Sequence, residues 1–223
     1  MVHQGAGSQN IVDISVPLAP WTPVWPGDPP LELEQITSIS KGAGYNLTRI
    51  SMSTHLGTHV DAPRHVLDQG NTVDQIPLDV LVGPATVVQV TARHSIEMRD
   101  LESCPLSPRV LFRTRNSDIR QQGKVAGPEG KDGVLSSDYV ALSEEAAAYL
   151  VASGVKLVGV DGPSVDLAEN TSLPVHQILL GASLAVIEWL DLRIVEPGEW
   201  TLCCLPLRLI NGDGAPARAI LMR

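Results

Sequence analysis

Hydrophobic and polar positions alternate with a period of two over much of this chain, which is the spacing of half-buried β-strands. Ile11 to Pro17, Leu31 to Ser40 and Asn46 to Asp61 read as strands, with Lys41 to Tyr45 as the turn of a hairpin between the second and third. Val80 to Val82, Ala85 to Ala92, Arg109 to Arg113, Trp200 to Leu209 and Ala217 to Met222 are rich in Val, Leu and Thr and predict further strands. Val155 to Val160 and Leu184 to Trp189 are nearly continuous apolar runs, the pattern of strands buried on both faces. Helical signals are fewer. Ser143 caps a helix that carries Glu144 and Glu145 in its first turn and stops at Gly154. Thr171 and Ser172 are candidate caps for a short helix that starts at Pro174 and ends at Gly181, and Met98 to Ser103 predicts one helical turn. Asn116 to Ser137 is polar and glycine-bearing without periodicity and predicts a surface loop. The fold class is mixed α/β: one strand-rich domain over residues 1–223, a few helices packed on its sheet, and a flexible start at residues 1–10.

Within this pattern the stretch Ser53 to His65, S-T-H-L-G-T-H-V-D-A-P-R-H, is distinctive. As an extended segment it turns His55, Gly57, His59, Asp61, Pro63 and His65 to one side and Thr54, Leu56, Thr58, Val60 and Ala62 to the other. The same register runs upstream, with Thr48, Ile50 and Met52 on the core side. Gly57 leaves space between two histidines, and Pro63 ends the ladder pairing. Three of the six histidines and an aspartate thus share one strand face. Imidazoles with a carboxylate, and no cysteine near by, suit Zn²⁺ or Mn²⁺ in an open, catalytic type of site. Upstream, A-P-W-T-P-V-W-P-G-D-P-P from Ala19 to Pro30 holds five prolines and predicts a stiff loop that presents Trp21 and Trp25. Either indole could form an aromatic wall for a ligand; for Trp21 a hydrophobic plug is an equal reading.

Composition narrows the classes. The formal charge of −9 argues against nucleic acid as a partner. No apolar run approaches the roughly 18 residues of a membrane span, and Met1 to Asn10 lacks the features of a secretory signal, so cytoplasmic residence is expected. Cys104, Cys203 and Cys204 cannot all pair within one chain and are expected as reduced core residues.

H-L-G-T-H-V-D-A-P-R-H from His55 to His65 resembles the H-x-G-T-H-x-D-x-P-x-H signature of the cyclase family of metal-dependent hydrolases, which includes bacterial kynurenine formamidase and isatin hydrolase. The likeness extends to V-W-P-G-D at Val24 to Asp28, G-V-D-G-P-S-V-D at Gly159 to Asp166 and L-P-L-R-L at Leu205 to Leu209. It implies that His55, His59 and Asp61 hold one Zn²⁺, that Asp61 bridges to a second, and that His176 and Glu188 complete the second site. Glu188 also has a physical argument of its own, because a carboxylate inside L-A-V-I-E-W-L needs a cationic partner. The resemblance further implies that His65 donates and accepts protons, that Trp25 lines the substrate pocket, and that the chain is a homodimer or homotetramer. Ser164, at the carboxyl end of a strand, could donate a hydrogen bond, although a turn role is the simpler reading.

The implied reaction is hydrolysis of an amide C–N bond by metal-activated water, with an aryl-formamide such as N-formylkynurenine as the small-molecule substrate. Gln177 stands where kynurenine formamidases often carry a second histidine, and Thr58 where they often carry alanine; neither removes a ligand, but both bear on the substrate. The rival readings are isatin-hydrolase-like opening of a cyclic amide or imide with one Mn²⁺, and a non-catalytic small-molecule or metal-binding member of the family.

Overall fold

The computed structural model describes residues 10–121 and 135–223. Its strands are β1 (Ile11–Asp13), β2 (Glu32–Thr37), β3 (Leu47–Ser51), β4 (His59–Asp61), β5 (Val82–Gln89), β6 (Ser95–Ile96), β7 (Arg109–Arg113), β8 (Ala141–Leu142), β9 (Leu157–Val160), β10 (Ala185–Glu188), β11 (Gly198–Pro206) and β12 (Gly214–Met222). The helices are α1 (Leu78–Leu81), α2 (Met98–Leu101), α3 (Arg115–Gln121), α4 (Glu144–Ala152) and α5 (Pro174–Gly181). The main sheet runs β1-β12-β11-β5-β7-β9-β10-β4, and β4 also pairs with β12, so the sheet closes on itself as a barrel with β1 added alongside β12. β5, β7, β9 and β10 are parallel; the remaining neighbours are antiparallel. This is the mixed, strand-rich α/β class that the patterning predicts.

Alternation along the parallel strands sorts side chains into two cores. Val110, Phe112, Val158, Val160 and Val186 point outward and are covered by Ala146, Ala147 and Leu150 of α4 and Val175, Leu179 and Leu180 of α5. Leu111, Leu157 and Ile187 point into the barrel, where they meet Ile14, Val60, Leu202 and Leu221. Burial on both faces explains why these strands read as continuous apolar runs. Gly159 belongs to the inner set, and a Cβ there would come within 2.4 Å of Leu111 Cδ2. α4 begins as expected, with Ser143 Oγ accepting from the Ala146 amide at 3.1 Å, and its chain turns out through Gly154 at φ +76°.

Several sequence expectations change. Asn46 to Asp61 is not one strand: β3 pairs only with β2 in a separate two-stranded sheet, and Thr48 and Ile50 are exposed instead of facing the core. Val80 lies in α1, not a strand, because Val82 N–H closes a helical turn on Leu78 after Pro77. α3 replaces the beginning of the expected loop at Asn116. Asp161 accepts the amides of Thr114 and Ser117, so the turn that starts this helix is capped from the loop that follows β9. Residues 122–134 of that loop, and residues 1–9 of the expected flexible start, lie outside the described residues. Thr171 and Ser172 do not cap α5. The three cysteines are free, with Cys204 buried and Cys104 and Cys203 only partly so. Among the described residues no helix is long and apolar enough to cross a membrane.

Candidate metal centre

Strand β4 sets the site by parity alone. Val60 points into the barrel, so His59 and Asp61 point to the outer face under α5, and the β4–β10 register places Glu188 opposite His59. Only these three residues are strand. His55 comes from the preceding turn, where Gly57 takes φ +64° and a Cβ would come within 2.3 Å of Leu18 Cδ2. That glycine therefore serves the turn and its packing on Leu18, not space between the histidines. His65 follows in a 3₁₀ turn opened by Pro63, and His176 projects from α5. The carboxylate of Asp166 accepts both the Val175 and His176 amides, at 2.9 and 3.0 Å, and so caps α5. A cap eight residues before the helix is invisible to a search of adjacent positions.

The side chains converge closely. Asp61 Oδ1 lies 2.7 Å from His55 Nδ1 and 3.2 Å from His59 Nε2, while Oδ2 lies 3.6 Å from His176 Nε2. Glu188 reaches His176 Nε2 at 3.1 Å through Oε1 and His59 Nε2 at 3.6 Å through Oε2. Among the described residues three sets of three donor atoms lie within 4.8 Å of one another: His55–His59–Asp61 and Asp61–His176–Glu188, which share Asp61, and the less buried His55–His65–Asp213. The outward nitrogens are engaged: His59 Nδ1–H donates to the Gly57 carbonyl at 2.7 Å, and His176 Nδ1 and Asp166 lie 2.7 Å apart. His59 Nε2 and Asp61 Oδ2 make no hydrogen bond although both are buried. A buried lone pair facing carboxylates is costly without a positive charge between them. The residues fit a cation.

Electrostatics divides the histidines. Burial opposes charge on His55, but the carboxylates of Asp213 and Asp61 outweigh it and push its pKa up to about 10. At His176 burial is likewise overcome by Asp166, Asp61 and Glu188, which hold its pKa well above the ordinary value. Burial alone would raise Asp61, yet His59, His176 and His55 hold its carboxyl well below the usual range. His65 goes the other way. Burial lowers its pKa, helped by its neighbours His55 and His176 against the pull of Asp61.

Over these groups lies a cavity of about 410 Å³, lined among others by Trp25, His65, Ser164, Leu173, Trp189 and Asp213. Trp25 is 37 % exposed and faces this cavity, whereas Trp21, at 53 %, is neither a plug nor part of the lining. Ser164 Oγ accepts the Asp166 amide, the turn role, while remaining on the cavity wall. Leu173 and Trp189 both adopt positive φ, a strained conformation for such residues. Thr58 holds one of them: its Oγ1 donates to the Trp189 carbonyl at 2.6 Å and accepts the Val16 amide at 2.9 Å. Asp213, with no role apparent from sequence, accepts from His55 Nε2 at 3.1 Å; the only signal for it was a turn-like N-G-D-G at Asn211 to Gly214.

Residues 12–167 match the family model described as putative cyclase. The chain belongs to that family. A kynurenine formamidase from Salinibacter ruber is 38% identical to this cyclase-family chain over 216 residues, covering 95% of this chain and 96% of the relative. The structure of a predicted metal-dependent hydrolase from Bacillus stearothermophilus superposes with a TM-score of 0.79 at 29% identity, over 97% of this chain and 99% of that one. Isatin hydrolase A from Labrenzia aggregata shares the fold, with a TM-score of 0.81 at 24% identity over 97% and 94% of the two chains.

Proposed function

We propose that this cyclase-family protein is a metal-dependent amidohydrolase that cleaves the C–N bond of an aryl-formamide such as N-formylkynurenine. The observation that carries this reading is the pair of buried, unbonded atoms His59 Nε2 and Asp61 Oδ2, turned toward the same cluster of carboxylates and imidazoles. His55, His59 and Asp61 would hold one divalent ion, and Asp61, His176 and Glu188 a second. Three imidazoles, two carboxylates and no thiolate suit Zn²⁺, with Mn²⁺ as the alternative. The 38% identity to a kynurenine formamidase supports the substrate class.

When bound, such ions act as Lewis acids and lower the pKa of a coordinated water from about 15.7 toward roughly 7. The chain's own groups do the rest. The centre of the His65 ring lies 4.1 Å from that of His55 and 5.4 Å from that of His176, at a tilt to both, on the cavity wall. Its lowered pKa leaves it neutral near pH 7, so one ring nitrogen can accept a proton and return it to the departing amine. Trp25, held by its proline-rich loop, offers a flat wall to an aryl ring, and Trp189 and Leu173 narrow the space available to bulk water. The protein is further read as a homo-oligomer, a reading supported by the β2–β3 hairpin, which exposes Leu33, Ile36, Leu47 and Ile50 in a sheet of its own.

The test is hydrolysis of N-formylkynurenine and of isatin by metal-loaded protein between about pH 6 and about pH 9, where a metal-activated water and a histidine both titrate. Cleavage of the formamide, lost in His176→Ala, is the expected result. Cleavage of isatin alone, with about one ion per chain and His176→Ala still active, would replace it with ring opening at a single ion. Metal binding with neither substrate cleaved would make the protein a non-catalytic member of the family.

A further inference from the structure

Each of the imidazoles of His55, His59 and His176 has its second nitrogen engaged, but His55 is held differently from the other two. His59 and His176 are fixed through Nδ1, by the Gly57 carbonyl and by Asp166, which leaves Nε2 for the site. His55 turns Nδ1 to Asp61 and gives Nε2 to Asp213, across the start of β12. We propose that Asp213 is a positioning residue that fixes His55 with its proton on Nε2, so that His55 alone meets the cation through Nδ1. This rests on the metal-centre reading above.

Three further contacts carry the assignment. First, Asp213 is itself oriented: its Oδ1 accepts from Thr54 Oγ1 at 3.1 Å and from the Gly214 amide at 3.1 Å, leaving Oδ2 to face His55. Second, the next residue is glycine for a reason. A Cβ on Gly214 would come within 2.8 Å of His55 Cε1, so the imidazole lies directly against the backbone of β12 and a side chain there would push it away. Third, the clamp is registered to the bridging carboxylate, because Gly214 pairs with Asp61 and the Asp213 carbonyl accepts the Ala62 amide at 2.9 Å. His55 itself sits in an irregular turn and not on β4, so no regular element fixes its ring. A carboxylate behind a ligating imidazole fixes its orientation and raises its basicity; loss of such a partner typically costs 10- to 100-fold in metal affinity.

The experiment measures zinc affinity by chelator competition in the full chain, for wild type, Asp213→Ala and Asp213→Asn, together with long-range ¹H–¹⁵N spectra of the zinc-loaded protein. Asp213→Ala should bind zinc about 10- to 100-fold more weakly, while Asp213→Asn, which keeps an acceptor oxygen without its charge, should fall in between. The wild-type spectra should show His55 bound through Nδ1 and protonated on Nε2, the reverse of His59 and His176. Asp213 carries a side chain 46 % exposed, so both variants should still fold without metal and melt cooperatively, at a somewhat lower temperature because the His55–Asp213 pair is lost. Wild-type affinity in both variants, or His55 bound through Nε2, overturns the assignment while leaving the metal centre standing. A wild-type protein that binds no zinc overturns the metal-centre reading and this inference with it.

Discussion

In the proposed reaction His65 moves the proton, and it is the one histidine of the cluster whose pKa the surroundings lower. Replacing it with alanine should reduce kcat by roughly 10²- to 10⁴-fold with metal content unchanged, as steady-state kinetics beside metal analysis would show. The sign of the pH effect follows from burial: with its pKa held below the ordinary value of about 6.5, the acid limb of the rate profile should lie below pH 6.5. An acid limb above that value would remove His65 from the role. His55, His59, Asp61 and His65 were legible in the sequence because they lie within eleven residues with fixed spacing. Asp166 and Asp213 were not, since each meets its histidine only through the fold, ten and 158 positions away in the chain. The role of Gly57 was not legible either, because its positive φ and its packing on Leu18 emerge only when the turn is formed.

Among the elements, α4 was readable from both ends, since its cap and stop lie in the helix's own sequence. Ser143→Ala should lower stability by about 1 kcal/mol in denaturant unfolding and leave metal binding untouched. α5 was readable only at its proline, because Asp166 does the capping from outside and aligns His176 in the same act. The β2–β3 hairpin shows the opposite limit. Its alternation predicts strands correctly but says nothing about what covers them, and the face assigned to the core is in fact exposed. Leu33 and Ile50 are cross-strand partners on that hairpin. If the hairpin joins copies of the chain, Leu33→Lys combined with Ile50→Lys should shift sedimentation toward the monomer; an unchanged distribution would assign the contact elsewhere.

The molecule as a whole explains how a three-residue strand can anchor the proposed metal centre. β4 pairs on one side with β10 and on the other with β12, which closes the barrel and brings Glu188 and the Asp213–Gly214 clamp to either flank of His59 and Asp61. Strand type and class could be read from patterning, but closure could not, because it depends on two registers of a segment too short to announce itself. Closure also crowds acids and imidazoles together, so protons and cations compete for the same atoms. Metal binding at neutral pH would displace protons from proposed ligands such as His55, whose pKa is pushed up to about 10, and zinc affinity should weaken as pH falls. Calorimetry in buffers of different ionisation enthalpy would detect that proton release. The most direct measurement is a titration of zinc into fully chelated protein while hydrolysis of N-formylkynurenine is followed. A dinuclear amidohydrolase should show no turnover at the start and reach its plateau at about two equivalents per chain. Undiminished turnover by the chelated protein, or none at saturation, would contradict it.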